Sequence, residues 1–140
     1  MKFTFALLTS LLLLLGCSKE NNADKSLQEI KRLTHESNYD VAIIKAKNIL
    51  KNNANDINVR LLLANSYRLR GSFVNAEKEF DMAIKKGASI TSFLPSYLEV
   101  LYAQHDFNHI ISTWDKYKDL IDINDKIKSA FIVSLAAIIC

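Results

Sequence analysis

An all-α fold, an α-solenoid of stacked helical hairpins, is the class this chain predicts. Three observations carry that reading. First, aromatic residues recur at a spacing of 34 positions, at Tyr39, Phe73 and Phe107. Second, apolar residues flank each recurrence at helical spacing: Leu63, Ala64 and Tyr67 lie before Gly71, with Arg60 in the same stripe, and Phe73, Ala76, Phe80, Ala83 and Ile84 follow it. Third, 140 residues hold one proline and three glycines, so little interrupts a helix. The register holds in further columns: Ile30, Ala64, Leu98 and Ile132; Leu33, Tyr67, Leu101 and Leu135; Ala42, Ala76 and Ile110; Ala46, Phe80 and Trp114. A fixed period of this length is the mark of a repeat architecture, in which each unit buries its apolar face on its neighbours.

The chain opens with Lys2 and an apolar run from Phe3 to Leu15. That run is shorter than the roughly 20 residues of a membrane-spanning helix. A cationic start, a short apolar core and a small residue at its end match an export signal that is removed. Leu14-Leu15-Gly16-Cys17 resembles the lipobox of bacterial lipoproteins. The resemblance implies that residues 1–16 are a signal peptide and that Cys17 is lipidated as the first residue of the mature chain. Several acyl chains make such an anchor essentially permanent. Residues 17–25 are then a lipidated N-terminus and polar linker; a flexible stretch of this kind spans roughly 15–18 Å, which keeps the folded part near its membrane. Ser18 stands where an aspartate would resemble an inner-membrane retention signal, so the expected location is the cell envelope, on the periplasmic face of the outer membrane.

Residues 26–140 form the solenoid, with repeats at about 23–56, 57–90 and 91–124 and a half repeat at 125–140. In the second unit Gly71 supplies the backbone freedom of a tight turn and Gly87 ends the second helix. Ala64, Tyr67, Gly71, Ala76, Phe80 and Ala83 resemble the tetratricopeptide repeat (TPR) signature at all six of its offsets. The first unit keeps Tyr39, Ala42 and Ala46 but has Ile30 and Ser37 where a small residue and glycine are usual. In the third, Ile110, Trp114 and Tyr117 replace smaller residues, which predicts wider packing. The half repeat, about Asp125 to Cys140, leaves Phe131, Leu135 and Ile138 without a covering helix. The chain is therefore expected to be the N-terminal portion of a longer solenoid, or to self-associate through this end.

Charge and cysteine content exclude several functions. A net charge of +3 is too small to suggest nucleic acid. Of the two cysteines, Cys17 goes to lipid and Cys140 is the last residue, so no disulfide framework is expected. No cofactor or metal is expected either: His105 and His109 have i, i+4 spacing, but His105 falls in a turn. No HExxH, P-loop or activated nucleophile is present. In the TPR family the first helices line a concave groove, and register puts Lys31, Asn65, Arg68, Glu99 and Tyr102 on that face as partner-binding residues. The lysine–asparagine clamp for a terminal carboxylate is not matched, because Leu27 sits where its first lysine would.

Over nearly all of its mature residues the chain resembles the start of the long TPR lipoproteins of exosortase (PEP-CTERM) and exopolysaccharide systems. The resemblance implies a membrane-anchored, non-enzymatic scaffold for protein–protein interactions in envelope, exopolysaccharide or protein-sorting machinery. Outer-membrane or pilus assembly is the alternative. A glycan-acting enzyme subunit using Glu99, Asp106 and His109 is the rival.

Overall fold

The computed structural model describes residues 20–139, which fold into seven α-helices: α1 (Glu20–His35), α2 (Tyr39–Asn52), α3 (Ile57–Leu69), α4 (Phe73–Lys85), α5 (Leu94–Ala103), α6 (Phe107–Tyr117) and α7 (Ile123–Ile139). A 3-10 turn at Ile90–Ser92 precedes α5, and no strand occurs among the described residues. Each helix packs on the next in sequence, except that α7 rests on both α5 and α6. The odd-numbered helices α1, α3 and α5 also touch in a row. Seven consecutively packed helices are compatible with an α-solenoid. The expected signal peptide, the lipidation of Cys17 and Cys140 itself lie outside the described residues.

The hairpin turns repeat in detail. Ser37, Gly71 and His105, 34 residues apart, all have positive φ, at 62°, 83° and 61°. At each one the following amide donates back to the last turn of the preceding helix: Asn38 N–H to Leu33 O at 2.8 Å, Ser72 N–H to Tyr67 O at 2.9 Å and Asp106 N–H to Leu101 O at 3.0 Å. With the companion bonds Ser37 to Thr34, Gly71 to Arg68 and His105 to Tyr102, these are three Schellman caps that satisfy otherwise orphaned carbonyls. Gly87 closes α4 the same way, with Ala88 N–H bonded to Ala83 O at 2.9 Å.

Left-handed backbone strains any residue with a Cβ by roughly 1–2 kcal/mol. Ser37→Gly should therefore stabilise the chain by about 0.5–1 kcal/mol after the extra chain entropy of glycine is subtracted. Gly71→Ala should cost about 1 kcal/mol, although a Cβ at Gly71 would meet nothing within 4 Å. Urea denaturation of the two variants checks the opposite signs.

The core runs as a continuous row. Ile30, Leu33, Ala42, Ile43, Ala46, Leu50, Val59 and Leu63 pack together at one end. Ala64, Ala76, Phe80, Leu94, Tyr97, Leu98, Leu101 and Ile110 pack together further along, and Tyr67 touches both groups. The alanine columns are sealed: Ala42, Ala46, Ala64, Ala76 and Ala83 are fully buried, where larger side chains would separate the helix axes. Ile110 takes the same place in the third hairpin and is equally buried.

Three features depart from the sequence reading, and a fourth is resolved by the structure. Helix α1 begins at Glu20, inside the segment read as linker, where no proline or glycine interrupts the run. Ser26 adds a bond to Asn22 O at 2.9 Å there. Helix α5 starts at Leu94 rather than near Thr91, since Pro95 has no N–H to give and fits only the first turn. Along α7, Phe131 and Ile138 are 66% and 80% exposed as expected, but Leu135 is partly covered. The helix buries Ser129 and Ala136 and rests Ile132 and Val133 on the core. Arg60, the charged member of an apolar stripe, is buried and paired with Glu79.

Candidate partner-binding groove

Helices α1 and α3 lie side by side and leave two adjoining depressions along their seam. One, of about 340 Å³, is lined by Leu27, Lys31, Asn58, Leu61 and Leu62. The other, of about 280 Å³, is lined by Lys31, Thr34, His35, Leu62, Asn65 and Leu69. They share Lys31 and Leu62, so they form one groove with a leucine floor and cationic or imidazole groups from α1 on its side.

Beneath it the spacing of the two helices is fixed by a buried polar link. Thr34 Oγ1 and Ser66 Oγ lie 3.0 Å apart, and each also sits 2.8 Å from a carbonyl one turn back, Ile30 O and Leu62 O. Each hydroxyl has one proton, so one donates to the other while its partner keeps its bond to the helix. The pair satisfies itself without water.

The groove is bordered on the α5 side by a fixed charge array. Arg68 donates from Nε and Nη2 to Asn65 Oδ1 at 3.1 and 2.8 Å and from Nη1 to Glu99 Oε2 at 2.5 Å. Glu99 is half exposed in this pair, so the bond orients both groups more than it stabilises the fold. Lys31 is exposed and makes no ion pair with the described residues. Of the five residues expected on this face, Asn65, Arg68 and Glu99 form one bonded group, and Lys31 shares a depression with Asn65. Tyr102 lines neither depression, and its ring meets Phe107 of α6 at 5.9 Å, edge to face.

The residues that sequence reasoning missed are the leucines. In "LLLANS" the helical period assigns Leu63 to the core, and the structure buries it while Leu61 and Leu62 are only partly buried and line the groove. Two apolar residues beyond what one helical face needs were the available signal. Leu27, noted only because it replaces a lysine, is part of the same floor.

The rival catalytic set does not assemble through its contacts. Glu99 is tied to Arg68, whereas His109 Nδ1 lies 3.6 Å from Asp106 Oδ2 and 3.8 Å from Glu77 Oε1. Tyr97, two positions from Glu99, meets the His109 ring at 5.9 Å, and residues two apart on a helix point about 200° away from each other. Among the described residues no cluster of three or more potential metal ligands occurs, and no helix is long and apolar enough to cross a membrane. Compared with known protein families, with curated proteins and with solved structures, the chain matches none.

Proposed function

We propose that this protein is a lipid-anchored TPR scaffold of the bacterial envelope, which holds a segment of a partner protein in the groove between α1 and α3. The observation that carries the reading is the groove itself: a leucine-floored channel on the first-helix face, crossed by Lys31, which no described acid neutralises. An apolar channel with fixed polar edges suits an amphipathic or extended segment, whose apolar residues fill the floor and whose polar groups meet the sides. The TPR assignment is supported by the 34-residue recurrence of the positive-φ caps and of the buried alanines. The anchor rests on the sequence around Cys17, and the setting in exopolysaccharide or protein-sorting machinery rests on the whole-chain resemblance.

A photo-crosslinking amino acid placed at Leu62 should trap a discrete partner in intact cells, while the same group at Val74, exposed on α4, should not. Adding Lys31→Glu at the groove should remove the Leu62 adduct. Equal adducts from both positions would show that the groove is not the binding face. Cys17→Ser should release the protein from the membrane fraction, which tests the anchor separately.

A further inference from the structure

A second cleft lies between α4, α5 and α6, on the side of α5 away from Glu99. Its volume is about 330 Å³, at the lower end of the roughly 300–1,000 Å³ of ligand sites. Ile84 and Ile90 supply apolar wall, Tyr97 and Tyr117 aromatic wall, and Asp81 and Thr113 polar groups.

Asp81 is held in place by Tyr97, whose phenol donates to Oδ1 at 2.8 Å. Burial, aided by this bond and the nearby carboxylates, pushes the Tyr97 phenol well above its usual range, so it stays a donor. Asp81 forms no ion pair with any described residue, and its Oδ2 accepts no hydrogen bond from them. Thr113 is more than nine-tenths buried, and its hydroxyl has no partner within the described chain. Thr113 lines the cleft. Buried polar groups are almost always hydrogen-bonded; a buried threonine without a described partner, lining the same cleft as a carboxylate that no described cation pairs, is an arrangement that a ligand completes.

We propose that this cleft binds a primary alkylammonium group, with its nitrogen between Asp81 and Thr113 and its carbon stem along Ile84 and Ile90. An anion would face Asp81. A neutral polyol would desolvate that carboxylate without neutralising it. A cation gains the charge-assisted bond to Asp81 and the faces of the aromatic walls. Lys116 at the rim, its Nζ 5.0 Å from the Tyr117 ring centre, already exploits one such face and is the like charge that an incoming cation displaces. The group comes either from a lysine side chain of a partner or from a free diamine.

The test is a titration of the isotope-labelled full chain in detergent, followed by amide shifts, with cadaverine as the free diamine and Nα-acetyl-lysine methylamide as the side-chain mimic. Saturable shifts around Asp81 and Thr113 are expected with at least one probe, and the better probe identifies the source. Asp81→Asn, which keeps an acceptor for Tyr97, should weaken binding at least tenfold, as loss of a charged bond does. Thr113→Val should weaken it about threefold to tenfold, and carries the test should Asp81→Asn perturb the fold. Lys116→Ala should tighten it. Unchanged affinity in Thr113→Val, or no saturable shift of these amides with either probe, overturns the proposal.

Discussion

Phe80→Ala is expected to cost about 4 kcal/mol, a large share of the roughly 5–15 kcal/mol that holds a domain folded. Phe80 is essentially sealed from solvent. Its ring stacks on Phe93 with centres 5.1 Å apart and meets Tyr97 edge-on at 5.8 Å, so truncation opens a cavity and breaks two aromatic contacts that reach across from α4 to α5 and the turn before it. Val74→Ala, at a side chain 72% exposed on the same helix, should change stability by no more than about 0.5 kcal/mol. Chemical denaturation of both variants checks the contrast. A small loss in Phe80→Ala would mean that α4 and α5 are not packed through this ring.

The second large effect is expected at the pair between α3 and α4. Arg60 Nη1 and Glu79 Oε2 lie 2.5 Å apart with side chains only 9% and 16% exposed. Arg60 Nη2 also donates to Ala54 O at 2.8 Å, while its Nε has no partner. Glu79→Ala leaves the guanidinium buried without a counter-charge and should cost about 3 kcal/mol, in line with other broken buried pairs. Replacing both, Arg60→Met with Glu79→Leu, removes the desolvated charges together and should fall within about 1 kcal/mol of the parent or above it. Unfolding free energies of the single and double variants form the check; a double variant as unstable as Glu79→Ala would show that the pair does more than compensate its own burial.

Much of the fold was legible because a repeat writes the same requirement several times. The caps at Ser37, Gly71 and His105 stood out by position even where the residue was not glycine, and the alanine columns marked where helices approach. What was not legible depends on how one helix sits against another. Arg60 reads as an oddity in an apolar stripe, and nothing in its own helix names Glu79, nineteen residues on, as its partner. The link of Thr34 to Ser66 and the bond of Tyr97 to Asp81 are of the same kind: each needs the relative rotation of two helices, which periodicity does not specify. Local chemistry also overrode the period at Pro95, which delayed α5, and at the start of α1, where the helix runs through the exposed residues Asn22 to Lys25.

The site divided along the same line. The nearness of Asn65 to Lys31, and of Arg68 to Asn65 and Glu99, agrees with the register, because the face of a helix is set by its own sequence. The contact of Tyr102 with Phe107 on the next helix is visible only after folding. The leucine floor was hidden because Leu61, Leu62 and Leu63 look alike until the core has claimed one of them.

The central claim is that the chain is built of quasi-equivalent hairpins in a 34-residue register, and duplication of one unit tests it most directly. A second copy of residues 57–90 inserted between Ile90 and Thr91 presents a repeat stack with interfaces it already makes, α4 against a following first helix. The account predicts a chain that still unfolds cooperatively, is at least as stable as the parent, and gains helical signal matching the two 13-residue helices of the unit. Loss of cooperative unfolding, with no gain in helical signal, would show that the helices close on one another as a single bundle and would contradict it.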